Sequence, residues 1–245
     1  MARLSLAAIA AIMRIPVRKA EAVVAFKIDV VSDVVCPWCY IGKHRLEAAL
    51  ARLAVAEPEF AVSVDWHPFQ LAPDVPPGGI DRRLYLETKL GGASRVREIH
   101  AMVEKVGADA GITFDFARIR VQPNTLAAHR LVSFAQRERA AGDLVERLFA
   151  AFFTQGRDIG DPEVLANIAE ESGLDRAAVS QWLAGDGGRS QIEAMDRQVR
   201  TLGVQGVPFF VFDGRLAMSG AHDIDEMVRV IREVRDTPIE VAQSH

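Results

Sequence analysis

The sequence predicts an α/β fold in which a large all-helical block is inserted between the second and third strands. Three observations support this prediction. Strand patterns occur near both ends of the 245-residue chain, and helical spacing fills its middle. A cluster of prolines and glycines separates the first strands from the helices.

The first predicted strand leads directly into a helix. Residues 26–30 alternate apolar and charged side chains before an apolar continuation, which is typical of a largely buried strand. From Cys39 onwards, apolar or small residues recur at helical spacing. We expect Cys36 at the N-cap and Pro37 at the first helical position, where its missing N–H and fixed φ suit the helix.

A second strand and the helical block follow. Residues 60–67 alternate apolar and polar side chains, and prolines and glycines between residues 68 and 79 mark the boundary. Asparagine or aspartate precedes several predicted helix starts, and glycine follows several predicted ends. The predicted helices cover residues 81–90, 95–110, 124–141, 144–155, 162–172, 176–184 and 189–202.

The C-terminal part returns to strands. A hairpin is predicted at residues 207–218 with its turn at Asp213-Gly214, followed by a helix at residues 223–235. The order β-α-β, helical block, β-β-α is that of a thioredoxin-type fold with a helical insertion. We therefore expect a thioredoxin-like domain and an insertion, flanked by a flexible leader and a short tail. Their expected ranges are 25–77 with 203–237 for the domain, 78–202 for the insertion, 1–24 for the leader and 238–245 for the tail.

Composition and the N-terminal residues limit the kinds of partner that we expect. The net charge of −4 gives no basic excess that would favour nucleic acid. The apolar run at residues 4–13 is too short to span a bilayer, and three basic residues precede the small-x-small site Ala20-Glu21-Ala22. A leader, or a true start at Met13, is favoured over an export signal. We expect a cytoplasmic protein without a membrane or nucleic-acid partner, and a homodimer remains open.

Both cysteines of the chain lie in one motif, Cys36-Pro37-Trp38-Cys39. A sulfur at a helix N-cap faces unpartnered backbone N–H groups and the positive end of the helix dipole, and both favour a thiolate. Cys36 is therefore the predicted nucleophile, and it is expected to be exposed. Cys39 follows on the inward side of the helix, so it is predicted to be shielded and to resolve a mixed disulfide.

The sequence supports two other uses of the cysteine pair less well than redox chemistry. A zinc site needs two more ligands, and none of the six histidines stands at a finger-like spacing. A structural disulfide across two residues closes too short a loop to stabilise much. Redox chemistry is the favoured use of the pair, with no metal and no cofactor beyond the Cys36–Cys39 disulfide.

A second part of the site is predicted at Gly206-Val207-Pro208. Proline cannot donate to a sheet ladder, so it marks the turn before the third strand. We predict a cis peptide bond before Pro208. In the thioredoxin superfamily such a proline packs against the CxxC motif and keeps metals off the thiols, and the backbone of the preceding residue, here Val207, pairs with substrate.

Six motifs occur in a fixed order along the chain: VVCPWCYIGK at 34–43, WHPF at 66–69, PNT at 123–125, AHRL at 128–131, GRDIGD at 156–161 and GVQGVPFF at 203–210. Through these motifs the sequence from about Phe26 to Arg235 resembles the FrnE-like branch of the DsbA family. The resemblance implies a dithiol-disulfide oxidoreductase, usually cytoplasmic, that exchanges disulfides with protein or small thiol substrates, with glutathione a possible co-substrate.

The chain departs from its relatives at two positions. Thioredoxin and DsbA proper carry a buried acid six residues before the nucleophile, and this chain has Val30 there. Asp33 or water would have to assist proton transfer instead. His222 follows Ser219-Gly220-Ala221, where relatives usually have glutamine, and it either approaches the redox site or stands solvated beside a helix start.

Trp38 and Pro37 are expected to shape the active site, and His67 and Asn124 are candidate substrate contacts beside Cys36. The alternatives are a surface position for His67 and helix capping for Asn124. Two other functions stay open. One is a glutathione-dependent isomerase of the 2-hydroxychromene-2-carboxylate type, whose members typically carry serine at the position of Cys36. The other is a non-enzymatic thiol metal-binding protein or a holdase.

Overall fold

The computed structural model describes residues 25–237. The predicted leader at residues 1–24 and tail at residues 238–245 lie outside the described residues. Strand β1 (Phe26–Ser32) leads through a short loop into helix α1 (Pro37–Ala56), and strand β2 (Val62–Pro68) runs parallel to β1. Every residue of β1 except Lys27 is buried, as the apolar pattern predicts.

The segment between β2 and the last strands is mainly, but not entirely, helical. Strands β3 and β4, of two residues each, form an antiparallel pair. Strand β3 directly precedes α2, and β4 lies shortly before α4. This pair corrects the expectation of an all-helical insertion. Strands of two residues carry no periodicity that a sequence pattern could reveal. The elements are β3 (Ile80–Asp81), α2 (Arg82–Leu90), α3 (Ala93–Asp109), a 3₁₀ turn (Phe116–Arg118), β4 (Val121–Gln122), α4 (Leu126–Arg137), α5 (Ala141–Phe153), α6 (Pro162–Glu171), α7 (Arg176–Ala184) and α8 (Arg189–Thr201).

The boundary between α4 and α5 differs from the prediction. Helix α4 ends at Arg137, and Arg139 adopts a left-handed φ of 61° that stops the helix. The predicted helix at residues 124–141 instead has the glycine at position 142 as its stop, yet Gly142 lies inside α5. Since an arginine ends the helix here without any glycine, the sequence rules could not place this boundary.

The chain ends with β5 (Phe209–Phe212), β6 (Leu216–Ser219) and α9 (Ile224–Asp236). The predicted turn is present: Asp213 and Gly214 have φ angles of 48° and 64°, the left-handed conformation that the two central residues of a type I′ turn adopt. The four-stranded sheet has the order β2-β1-β5-β6, with β5 antiparallel to β1. The predicted α/β fold with a helical insertion is confirmed.

Helix α1 ties the two parts together. Its residues Leu46, Ala49 and Leu53 are buried in the main core, which includes the sheet residues Ile28 and Phe210. On a different face, the Tyr40 ring stacks on Phe149 of α5 with 4.9 Å between ring centroids. This packing fixes the insertion beside the start of α1. Within residues 25–237, none of the helices has the length and apolar composition needed to cross a bilayer.

Candidate active site

Cys36 occupies the N-cap of α1, as predicted. Its backbone is extended (φ −94°, ψ 113°), and Pro37 follows as the first helical residue. The carbonyl of Cys36 accepts hydrogen bonds from the backbone N–H groups of Cys39 and Tyr40. The thiol donates to the carbonyl oxygen of Val207, with Sγ and O 3.6 Å apart. The first sulfur therefore stands between the helix N-terminus and the Val207 loop.

The expectation that Cys36 is exposed is wrong. Only 5% of Cys36 is exposed, compared with 1% of Cys39. The cause is tertiary, because the loop that carries Val207 comes from the other end of the chain and lies against the sulfur. Trp38 is half-buried and packs against the main core. Both cysteines are free thiols.

Pro208 lies directly against α1. The Val207–Pro208 peptide bond is cis, and the Pro208 carbonyl accepts a hydrogen bond from Gly220 N. A Cβ atom at Gly42 would stand 3.0 Å from Pro208 Cγ and 3.2 Å from Phe210 Cζ. Glycine at position 42 therefore allows this close approach, a role that the sequence pattern did not reveal.

Cys39 is held in its protonated form. Burial raises its pKa well above the ordinary value, and the neighbouring Cys36 raises it further. The Ser32 hydroxyl and the backbone at Asp33 act in the opposite direction, because they stabilise the Cys39 thiolate. The second sulfur thus needs help to lose its proton near neutral pH.

Ser32 and Asp33 belong to a group of buried polar residues, here called the relay cluster: Asp29, Ser32, Asp33, His67 and His129. His67 Nε2 lies 2.6 Å from Asp29 Oδ1, and His129 Nε2 lies 3.3 Å from Asp33 Oδ1. The other Asp33 oxygen accepts a hydrogen bond from the backbone N–H of Leu71 at 2.7 Å. Burial alone would raise the pKa of Asp29, but His67 and Lys27 outweigh it and lower that pKa.

The structure places the three candidate substrate contacts differently from one another. His67 is buried beneath the site, so the alternative surface position is wrong. His222 is partly exposed and its Nε2 lies 2.9 Å from the carbonyl oxygen of Ser219, close to the start of α9. That substrate contacts either residue stays a prediction.

Asn124 connects a loop to a helix start. Its side-chain oxygen accepts from Leu126 N at 2.9 Å, and its amide nitrogen donates to the carbonyl oxygens of Pro73 and Val75. Helix α4 begins one residue later than expected, with Thr125 at the N-cap. Asn124 therefore still serves the helix start, and its contact with substrate stays a prediction.

Three residues of the relay cluster, Asp29, Ser32 and His129, were missed as site residues. His129 belongs to the AHRL segment, and it shares one face of α4 with Val132, Ser133 and Gln136, all of which line a cavity below the sheet edge. A histidine on an otherwise mainly buried helix face was the available signal. Ser32 ends β1 and gave no signal of its own. Among residues 25–237, no three His, Cys, Asp or Glu side chains are grouped so that they could hold a metal ion.

Comparisons with known proteins agree with this geometry. The uncharacterized protein YwbO of Bacillus subtilis (strain 168) is 27% identical over 207 residues, which are 84% of this chain and 96% of that protein. The crystal structure of the probable DsbA oxidoreductase SCO1869 from Streptomyces coelicolor superposes with a TM-score of 0.79 and 27% identity, and the match covers 88% of this chain and 93% of that one.

A more distant neighbour shares the fold. The cytosolic disulfide reductase DsbM from Pseudomonas aeruginosa has a TM-score of 0.61 at 18% identity, over 86% of this chain and all of DsbM. DsbM has also been solved with GSH. Residues 27–232 match the family described as DSBA-like thioredoxin domain. A cysteine pair at the start of α1, a proline loop against it and a match over most of the chain together establish that this protein belongs to the DSBA-like thioredoxin domain family.

Proposed function

We propose that this protein is a thiol-disulfide oxidoreductase of the FrnE-like branch that uses Cys36 and Cys39 as its redox pair. One observation carries the proposal. The first sulfur stands at a helix N-terminus beside the Val207 carbonyl, and the second is buried one helical turn later. This is the arrangement that a nucleophile and a resolving thiol need, because a helix N-terminus favours a thiolate and burial protects the partner.

The exchange runs in two steps when the protein reduces a disulfide. The Cys36 thiolate attacks one sulfur of the substrate, forming a mixed disulfide while the other substrate sulfur leaves as a thiolate. Cys39 then loses its proton and attacks Cys36 Sγ. The Cys36–Cys39 disulfide forms, the second substrate thiolate leaves, and two electrons have passed from the protein dithiol to the substrate. The reverse sequence oxidises a substrate dithiol.

Substrate is expected to approach over the Val207 loop. We expect Val207 to offer backbone groups to an extended chain, and Pro208 and Trp38 to flank Cys36. Protein disulfides and small disulfides are both suitable substrates, since the chemistry requires only an accessible sulfur pair. Glutathione as co-substrate is supported by the shared fold with DsbM, which binds GSH in its structure. We place the protein in the cytoplasm.

Insulin reduction with dithiothreitol tests the proposal, with wild type, Cys36→Ser and Cys39→Ser compared. Wild type should accelerate the reaction, and each variant should fall to the uncatalysed rate. Cys39→Ser should in addition accumulate a mixed disulfide on Cys36 with insulin or oxidised glutathione, detected by mass spectrometry. A wild type that does not accelerate the reaction, together with a Cys39→Ser variant that forms no mixed disulfide with any of these substrates, contradicts the proposal.

Two other results would favour one of the alternative functions over disulfide exchange. Isomerases on this scaffold typically carry serine where Cys36 stands. A glutathione-dependent isomerase activity that persists in Cys36→Ser would therefore favour the isomerase alternative over disulfide exchange. Thiol-dependent binding of zinc without any redox activity would favour the metal-binding alternative in the same way.

A further inference from the structure

The relay cluster is unusual because many of its polar atoms lack a hydrogen-bond partner. Buried polar groups are nearly always paired in native proteins, so a concentration of unpaired ones needs an explanation. Here five of the unpaired atoms lie in the relay cluster, which includes Ser32 and Asp33, the two residues that act on Cys39. They are Ser32 Oγ, Asp33 Oδ1, Asp29 Oδ2, His67 Nδ1 and His129 Nε2.

A cavity of about 20 Å³ lies beside three residues of this cluster, Ser32, His67 and His129. Ser133 and Gln136 also line it. About 10–15 Å³ is enough for one ordered water molecule when two to four polar partners surround it. The cavity is therefore large enough for one water molecule, and the polar side chains of Ser32 and His129 are among those that line it.

Cys39 requires a proton acceptor that the usual position does not provide. Position 30, six residues before Cys36, holds a buried valine in place of an acid. The Ser32 hydroxyl forms no hydrogen bond with the Cys39 sulfur in this structure, but it lies near enough to lower the pKa of that thiol against the effect of burial. Ser32 also lines the cavity, as does His129.

We propose that Ser32 and one water molecule in the cavity carry the Cys39 proton to His129, with the Asp33 carboxylate as the counter-ion that stabilises the protonated histidine. The proposal rests on the dithiol function and names further residues for the same reaction. Ser32 accepts the Cys39 proton as its own proton moves to the water, and a water proton moves to His129 Nε2. The electron pair left on Cys39 forms the bond to Cys36 Sγ as the Cys36–substrate bond breaks.

The surroundings of His129 suit this role. From the loop after β1, Asp33 places a carboxylate oxygen 3.3 Å from Nε2, which stabilises the imidazolium that the proton creates. From β2, His67 is the other titratable group on the cavity, and Asp29 holds its Nε2. Helices α5 and α8 contribute only the apolar side chains of Val145, Ile192 and Met195 to the lining, and the α4 residues there, Val132, Ser133 and Gln136, are uncharged.

The reaction with 5,5′-dithiobis(2-nitrobenzoate) separates the two cysteines. In a stopped-flow experiment, attack by Cys36 releases one coloured thiolate, and attack by Cys39 on the mixed disulfide releases the second. In His129→Gln the second phase should slow by about 100-fold at neutral pH, the size typical of general base catalysis. The deficit should shrink at alkaline pH, where hydroxide removes the proton, and the first phase should stay unchanged.

A pair of Ser32 variants tests the same path with little risk to folding. Ser32→Ala removes the hydroxyl and should slow the second phase, whereas Ser32→Thr keeps a hydroxyl and should restore it. A purely structural role would not produce this rescue together with a changed pH profile. If His129→Gln fails to fold by circular dichroism, the Ser32 pair decides the question.

Ser133→Ala is the matched control, because Ser133 lines the same cavity from α4 but is not part of the proposed path. It should change the second phase by less than about 3-fold, far below the general-base effect. Equal second phases in wild type, His129→Gln and Ser32→Ala would overturn the proposal, as would a loss in Ser133→Ala as large as that in His129→Gln. A wild type without a first phase would instead contradict the dithiol function itself.

Discussion

The polar groups on two faces of helix α1 differ in their hydrogen bonding. On the face toward α5, Glu146 accepts hydrogen bonds from Tyr40 and Lys43 and lies 3.2 Å from His44 Nε2. On the face that carries Cys39, the relay cluster leaves several polar atoms without partners. The first face is a satisfied network and the second is an unsatisfied one.

The electrostatics of the two faces follow from this difference. Burial alone would raise the pKa of Glu146, but His44, Lys43 and Tyr40 outweigh it and lower the pKa to about 2. The pKa of Cys39 moves the other way, because burial favours the neutral thiol. We infer that the α5 face stabilises the fold, whereas the unpaired polar groups on the Cys39 face lower stability and serve the reaction, as is common at functional sites.

The largest expected effect on stability is that of Glu146→Gln. The Lys43 side chain is only 2% exposed and would keep Glu47 as its sole carboxylate partner. Breaking a buried ion pair costs about 3–5 kcal/mol, and because Lys43 retains Glu47 we expect a loss of about 2 kcal/mol in the free energy of unfolding, measured in urea. Disulfide exchange at Cys39 should not change.

Glu47→Gln is the matched control for that variant. Glu47 contacts the same lysine but is more than half exposed, so its removal should cost about 0.5 kcal/mol. If both variants lost the same free energy of unfolding, the α5 face would not be the stabilising one.

The pH dependence of stability is the next largest effect. The pKa of Glu146 is lowered from 4.5 to about 2, so its ionised form stabilises the folded protein. That contribution is fully present above about pH 5 and is lost as the pH falls through about 2. Glu146 is about one-third exposed, which reduces the expected contribution to about 1–2 kcal/mol. Urea titrations of wild type and Glu146→Gln should converge as the pH is lowered, and a constant gap would contradict this.

Gly42→Ala should lower the free energy of unfolding by less than Glu146→Gln does, but it acts at the active site. A Cβ atom would press on Pro208 and Phe210, and overpacking costs about 1–3 kcal/mol. Alanine regains about 1 kcal/mol of helix propensity, so we expect a net loss of about 1 kcal/mol and slower insulin reduction. In Gly142→Ala, a helical glycine with no atom near the added Cβ, stability should rise slightly and insulin reduction should not change. Equal activity in the two variants would show that the fit of Pro208 against α1 is unimportant.

The smallest expected change in stability is that of His129→Gln. The Nε2 atom of His129 has no hydrogen-bond partner, so its replacement removes no hydrogen bond at that atom, and we expect a change within about 1 kcal/mol. This variant should therefore lose exchange at Cys39 with little loss of stability, the reverse of Glu146→Gln. A loss of stability larger than that of Glu146→Gln would break the distinction between the two faces.

Most of the fold could be read from local patterns. The alternation in residues 26–30, the helical spacing after Cys39 and the Asp213-Gly214 turn depend on backbone preferences that a short segment carries by itself. The β3–β4 pair and the end of α4 could not be read, because two-residue strands and an arginine in a left-handed conformation leave no pattern.

For the site, the sequence determined the chemistry: two cysteines one helical turn apart, with the first at a helix start and a proline turn far along the chain. Only the tertiary structure decided that Cys36 is covered, since its cover is the Val207 loop from 171 residues away. It also decided that His129 lies against Asp33 and that Gly42 admits Pro208. Such contacts join distant segments, and they exist only once the sheet and the insertion have packed around α1.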